Sequence, residues 1–165
     1  MLWAALGVPM ELQAAGYSVQ QVQAAFLFNF AQFVKWPPNA FADSSSPLTI
    51  GVLGANPFGG TLESTIRGET IDGRRMAVKY SRRPEDLRGC QIVFISKSEA
   101  GRLGAVLNAL QNSSALTVSD IPRFSDQGGM INFLIEGGQV KFAINTRPAK
   151  NAGLQISSKL LRLAK

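Results

Sequence analysis

Residues 54–61 read GANPFGGT and follow an apolar run, LTIGVL. A phosphate-binding loop has the pattern G-x-x-x-x-G-K-[ST], in which backbone N–H groups and the lysine hold phosphates and the hydroxyl holds magnesium. Thr61 supplies the hydroxyl, but Gly60 stands where the lysine belongs, and Pro57 removes one N–H group. Asp120 comes closest to a magnesium ligand after an apolar run. We interpret the stretch as a strand-to-helix turn and leave open an anion site at the following helix N-terminus.

The chain has few of the side chains that enzymes use in catalysis. It contains no histidine, which removes the commonest general base and transition-metal ligand. Ser157 and Ser158 have no histidine to activate them, and the eleven Asp and Glu are scattered. Cys90 is the single cysteine, so no disulfide can form within the chain, and we interpret it as a small buried hydrophobe. We expect a non-enzymatic protein without a metal or cofactor.

A polar and basic cluster follows the last apolar run of the chain. Its members are Asn145, Thr146, Arg147, Lys150 and Asn151. The Arg147 guanidinium offers a fork for carboxylate or phosphate, and ligands of open α/β sheets bind where strands give way to loops. We therefore predict a ligand- or partner-binding site here. The alternative is that Asn145 and Thr146 only cap a helix that starts near Pro148.

Short β-rich runs alternate with helical or loop segments after residue 47. They are Leu48–Leu53, Met76–Tyr80, Ile92–Ile95 and Leu116–Val118. Between the last two, Ser98–Leu110 places leucines and valine on one helical face. This alternation predicts a single three-layer α/β domain with a mostly parallel sheet of Rossmann-like or flavodoxin-like type.

Two further patterns predict the ends of this domain. Ser18 and Gln21 form a capping box, and an uncharged, phenylalanine-rich segment then runs to Val34, which predicts a buried N-terminal helix. Gly137 and Gly138 separate two alternating runs as a type I′ hairpin turn. Counting outward from this turn pairs Ile135 with Val140, Phe133 with Phe142 and Ile131 with Ile144 on one face, which we expect to face the core. Glu136, Gln139, Lys141 and Asn132 share the other, wetter face of this antiparallel edge hairpin.

The formal charge is +6, a moderate excess that favours anionic partners or membrane surfaces. Seven basic residues over 67–88 face four acidic ones without an aromatic ladder, so we expect no nucleic-acid partner. The N-terminal segment MLWAALGVPM is apolar and is followed by small residues, as at the end of a secretory signal. We therefore predict a leader remnant over residues 1–16 and an exported domain over 17–165.

Three separated stretches together resemble the YfiR family of periplasmic proteins. They are FLFNFAQFVKWP, GGMINF, and FAIN followed by AGLQISSKLL, and VLGANPFGG and LTVSD fit the same pattern. In that family the loop at 54–60 is a strand-to-helix turn. Many relatives carry a cysteine at the position of Gly51 and further cysteines later in the chain, whereas only Cys90 is present here.

The resemblance implies an exported, non-enzymatic regulator of the Gram-negative periplasm. Its implied action is to bind and repress the periplasmic domain of an inner-membrane diguanylate cyclase, which lowers cyclic di-GMP and thereby biofilm formation. Other implied partners are a sensor kinase, an outer-membrane lipoprotein that sequesters the regulator, and a second copy of the chain. A periplasmic small-molecule sensor that feeds a kinase or another membrane receptor is the alternative function.

Overall fold

The computed structural model describes residue 13 and residues 16–165. The predicted leader over residues 1–16 lies outside the described residues, apart from positions 13 and 16. The helices of the described part are α1 (Val19–Phe33), α2 (Thr61–Ile66), α3 (Leu103–Ala109), α4 (Thr146–Asn151) and α5 (Ser158–Leu163). None of the helices in this part has the length and apolar character that a membrane span requires.

α1 begins at the predicted capping box. The Gln21 N–H donates to Ser18 Oγ at 3.1 Å, and the Ser18 N–H donates to Gln21 Oε1 at 2.8 Å. Residues 22–31 are buried, which confirms the predicted enclosure of this helix. α1 ends at Phe33 because the next two residues adopt extended backbone as β1 (Val34–Lys35).

Seven strands form one mixed sheet in the order β3-β4-β2-β5-β6-β7-β8. They are β2 (Leu48–Leu53), β3 (Thr70–Ile71), β4 (Arg74–Ser81), β5 (Ile92–Ile95), β6 (Leu116–Ser119), β7 (Ile131–Glu136) and β8 (Gln139–Ile144). Parallel pairing joins the five central strands in the order β4, β2, β5, β6 and β7. The edge strands β3 and β8 pair antiparallel with β4 and β7. The single α/β domain is therefore present, but the prediction of a mostly parallel sheet is corrected to a mixed one.

The antiparallel edge that the sequence analysis missed is the hairpin of β3 and β4. Asp72 and Gly73 both have positive φ, 51° and 79°, as a type I′ turn requires. Ile71 pairs with Arg74 beside this turn. Because β3 is only two residues long, it cannot show the alternating pattern by which strands are recognised.

Helices cover both faces of the sheet, which gives the predicted three layers. In β5, Ile92 and Phe94 belong to the apolar cluster that contains α1, whereas Val93 and Ile95 belong to the cluster that contains α3. Successive strand residues point to opposite faces, so the two clusters lie on opposite sides of the sheet. A separate short strand, β9 (Gln155–Ile156), pairs antiparallel with β1.

The register of the β7–β8 hairpin is the predicted one. Ile135 pairs with Val140, Phe133 with Phe142 and Ile131 with Ile144. The predicted burial needs two corrections. Ile135, beside the turn at Gly137–Gly138, is 43% exposed, although its partner Val140 is buried. Asn132, expected on the wetter face, is buried because its amide donates to the backbone oxygens of Ser119 and Ile121.

Phe142→Ala should lower the free energy of unfolding by about 3–5 kcal/mol, because Phe142 is buried against the phenylalanines of α1. Ile135→Ala, on the same face of the hairpin but exposed, should cost less than about 1 kcal/mol. Chemical denaturation of the two variants and the parent measures the difference. Equal losses would contradict the assigned burial.

The Cys90 side chain packs against the backbone of Gly51 in β2. Cys90 is 4% exposed, and burial raises the pKa of its thiol to about 11. A Cβ atom added at Gly51 would lie 3.0 Å from Cys90 Sγ. Bond lengths and angles of a disulfide also separate each Cβ from the opposite sulfur by about 3 Å. The Cys90 sulfur thus lies at the distance from a Gly51 Cβ atom that a disulfide between these two positions would require.

Gly51→Cys should therefore form a disulfide with Cys90 under oxidising conditions. Closing the loop between these positions should raise the free energy of unfolding by up to about 4 kcal/mol relative to the reduced variant. Alkylation and intact-mass analysis count the free thiols, and denaturation with and without reductant measures the gain. Gly51→Ser is the control for the added side chain. Two alkylated thiols in the folded, oxidant-treated variant would refute the assigned geometry.

Candidate functional site

Ligands of open α/β sheets bind beyond the carboxyl ends of the parallel strands, at the point where the strand order reverses. In this sheet that point lies between β2 and β5, because β2 is flanked by β4 and β5. The glycine-rich loop 54–60 follows β2, and the 3₁₀ helix Lys97–Arg102 follows β5. These two segments meet where a nucleotide would bind.

The glycine-rich loop is closed by contacts within the chain. The Ala55 N–H donates to Ser98 Oγ at 3.0 Å, and the Phe58 N–H donates to Asn56 Oδ1 at 2.9 Å. The Phe58 side chain is buried, with its ring 5.0 Å from that of Phe94. Two N–H groups of the loop thus already have side-chain partners, and the loop has the geometry of a turn.

A buried carboxylate occupies the remaining space beside this loop. Glu99 is 6% exposed and accepts hydrogen bonds from Ser98 Oγ at 2.7 Å and Arg102 Nε at 2.5 Å. Burial alone would raise the pKa of Glu99, but these hydrogen bonds and the charges of Arg102 and Arg82 outweigh it and lower the pKa. A side chain at Gly54 would collide with Glu99. A negative charge held here disfavours a phosphate ligand.

Asp120, at the end of β6, is engaged in a similar way. Its carboxylate accepts a hydrogen bond from Gln23 Nε2 at 3.2 Å and lies 4.0 Å from Lys97 Nζ. No group of three or more potential metal-ligating residues occurs in the part of the chain that the structure describes. The carboxyl ends of the strands therefore carry structural ion pairs.

The predicted site at 145–151 lies at the opposite end of the sheet. Ile144, the last residue of β8, pairs with Ile131, the first residue of β7. Because β8 is antiparallel, its carboxyl end lies beside the amino ends of the parallel strands. The rule that ligands bind beyond the carboxyl ends of parallel strands, on which the prediction rested, thus does not apply to this cluster.

Within this cluster, Asn145 is the N-cap of α4. Its Oδ1 accepts a hydrogen bond from the Arg147 N–H at 3.3 Å, and its Nδ2 donates to the Ser125 backbone oxygen at 3.1 Å. Thr146 is the first helical residue. Asn145 thus has the capping role that the alternative interpretation assigned to it, while Arg147 is exposed.

α4 separates two hollows, and the other members of the cluster divide between them. On one side is an apolar groove of about 270 Å³, which we call the C-terminal groove. Its lining residues are Thr146, Ala149, Lys150, Leu154, Gln155, Ile156 and Leu161. On the other side, Asn151 lines a separate cavity of about 360 Å³. The structure therefore does not bring Lys150 and Asn151 into one pocket.

The C-terminal groove lies in the basic part of the chain. Residues 137–165 contain six Lys and Arg and no acidic residue, so this segment alone accounts for the net charge of +6. Lys141 and Lys165 pair with Glu136 at 3.3 and 2.6 Å. The other four make no ion pair with any described residue, and they are Arg147, Lys150, Lys159 and Arg162. The two helices beside the apolar groove, α4 and α5, thus carry four exposed cations.

The sequence analysis missed the apolar half of this groove. Leu154 directly precedes β9 and Ile156 belongs to it, and the pairing of β9 with β1 joins segments that are distant in the sequence. Leu161, on α5, is 38% exposed. The acid-free stretch after Glu136 was the available signal for the basic half of the groove, because it shows that one segment carries all the excess charge.

The lowered pKa of Glu99 predicts a specific loss of stability in acid. Its ionised form is favoured in the folded state, so this stabilisation is complete above the ordinary value of 4.5 and is lost as the pH falls through the lower folded-state pKa. We expect Glu99→Gln to be less stable than the parent near neutral pH and to lose less stability on acidification. Urea denaturation from about pH 6 to pH 3 measures both slopes. Parallel slopes would contradict the assigned shift.

Comparisons with known proteins place the chain in a family. The YfiR/HmsC-like family model matches residues 20–165. No curated protein shows significant sequence similarity to the chain. A crystal structure of a conserved domain protein from Vibrio cholerae O1 biovar eltor has a similar fold, with a TM-score of 0.58 and 13% identity. The match covers 90% of this chain and 60% of that one. Because the family model covers nearly all the described residues, the chain belongs to the YfiR/HmsC-like family.

Proposed function

We propose that the protein is a non-enzymatic periplasmic regulator that binds and represses the periplasmic domain of an inner-membrane signalling enzyme. A diguanylate cyclase is the proposed target, and lower cyclic di-GMP is the proposed output. The observation that carries this proposal is the family match over residues 20–165. An outer-membrane lipoprotein that sequesters the regulator and a second copy of the chain are further proposed partners.

The C-terminal groove is the proposed docking site for the enzyme domain. Its floor is apolar at Leu154, Ile156 and Leu161, and the exposed cations Arg147 and Lys150 lie on α4 beside it. Apolar anchors in a pocket supply most of the energy of a protein interface, and charges at the rim set the rate and specificity of association. We therefore expect the partner to present an apolar side chain flanked by Asp or Glu.

This assignment keeps Thr146, Arg147 and Lys150 of the predicted cluster in the partner site. Asn145 stabilises the site indirectly, because it caps α4 and donates a hydrogen bond to the Ser125 backbone oxygen. Asn151 lies on the other side of α4. One wall of the docking groove is thus a short, capped helix, which a partner can contact without any change in the core.

Deletion of the gene should raise cellular cyclic di-GMP, and the parent protein should restore it. Arg147→Glu/Lys150→Glu should weaken binding of the purified periplasmic enzyme domain about tenfold or more, because both exposed rim charges are reversed. Both cations make no ion pair with described residues, so the melting temperature should stay close to that of the parent.

The control is Arg83→Glu, which reverses an exposed charge outside the groove. Binding is measured by titration, and the physiological partner is identified by capture from an envelope extract. If deletion leaves cyclic di-GMP unchanged and no inner-membrane protein is captured, the proposed function is wrong. If the double variant binds as tightly as Arg83→Glu, only the docking site is wrong.

A further inference from the structure

The cavity on the other side of α4 has no part in the proposed docking. It lies at the amino ends of β6 and β7, between the end of α3 and the side of α4 that carries Pro148 and Asn151. Its volume is about 360 Å³. Small-molecule sites typically occupy about 300–1,000 Å³, so a ligand of monosaccharide size fits this space.

Thirteen residues line the cavity, and none of them is charged. The lining is half apolar, with Leu107, Leu110 and Met130 as its largest aliphatic side chains. Leu110 and Met130 are buried. This wall is preformed by the packing of α3 against the sheet.

The opposite part of the lining is made of amides. The side chains of Gln111, Asn112 and Asn151 line the cavity and make no hydrogen bond with any residue of the described chain. Two hydrogen bonds from Arg88 Nη1, to the backbone oxygens of Ala109 and Gln111, hold the loop that carries the first two amides. Each amide offers both a donor and an acceptor.

These properties select one class of ligand. A charged ligand would meet no opposite charge among the lining side chains, so any hydration that it loses there would be uncompensated. A purely apolar ligand would cover the amides and leave their polar atoms unpaired. A neutral sugar avoids both penalties, because each hydroxyl donates and accepts while the C–H faces pack on aliphatic side chains. We propose that this cavity binds an uncharged monosaccharide.

An N-acetylated hexose is the best-matched probe, since its acetamido methyl suits the wall of Leu107, Leu110 and Met130. The experiment titrates the full chain with N-acetylglucosamine and follows backbone amide NMR signals. The titration is repeated with glucuronate, which has a similar ring and a negative charge. The inference does not depend on the proposed partner, because the measurement uses the isolated protein.

Saturable shifts confined to 107–117, 127–130 and 148–152 are expected, with much weaker binding of glucuronate. Gln111→Ala/Asn151→Ala should weaken N-acetylglucosamine binding about tenfold, because two neutral hydrogen bonds are lost. Both side chains are exposed and have no partner in the described chain, so the variant should fold normally. Lys150→Ala, on the other side of α4, is the matched control and should bind within about twofold of the parent.

The proposal is wrong if no saturation occurs below about 10 mM, a concentration about tenfold above a Kd of 1 mM. It is also wrong if the double variant binds as the parent does, or if glucuronate binds as tightly as N-acetylglucosamine. Loss of binding in Lys150→Ala alone would instead place the sugar in the C-terminal groove and overturn the cavity assignment.

Discussion

The structure depends on the burial of one uncharged helix. α1 has no charged side chain, and its residues 22–31 are buried, so the rest of the domain has to enclose it. Phe26 and Phe30 each place their rings 5.3 Å from that of Phe142. Aromatic pairs of this kind contribute about 0.5–1.5 kcal/mol beyond the area that they bury. This gain opposes the cost of Asn29, which is fully buried and whose amide has no hydrogen bond in the described part of the chain.

Enclosing α1 also fixes the basic end of the chain. The Ser157 N–H donates to the Phe33 backbone oxygen at 2.9 Å, and Ile156 pairs with Val34 directly after the helix. Leu160 then buries its side chain in the cluster that contains α1. Because α4, β9 and α5 are held by these contacts, their exposed cations are presented on a rigid surface. A core interaction thereby determines where the net charge of the protein lies.

The sequence was sufficient wherever a pattern was local. The capping box at Ser18 and the register around Gly137–Gly138 follow from the spacing of a few residues, and the structure has both. It was insufficient where the chain pairs over long distances or over very short segments. The β3–β4 hairpin adds an antiparallel edge through two residues, and the β1–β9 pair joins positions 34–35 to 155–156. The Glu99 contact beside the glycine loop likewise arises from a tertiary approach.

The position of the proposed sites follows from how this sheet is closed. In a fully parallel sheet, the crevice beyond the carboxyl ends of the strands would be the natural binding site. Here Glu99 and Asp120 occupy that end and form ion pairs with Arg102 and Lys97, so the loops there contribute to the stability of the fold. The antiparallel β8 returns the chain to the opposite end, where α4 forms a wall between the C-terminal groove and the amide-lined cavity. Among the described elements, α4 alone borders both hollows, and it is capped by Asn145 and tied to the Ser125 backbone.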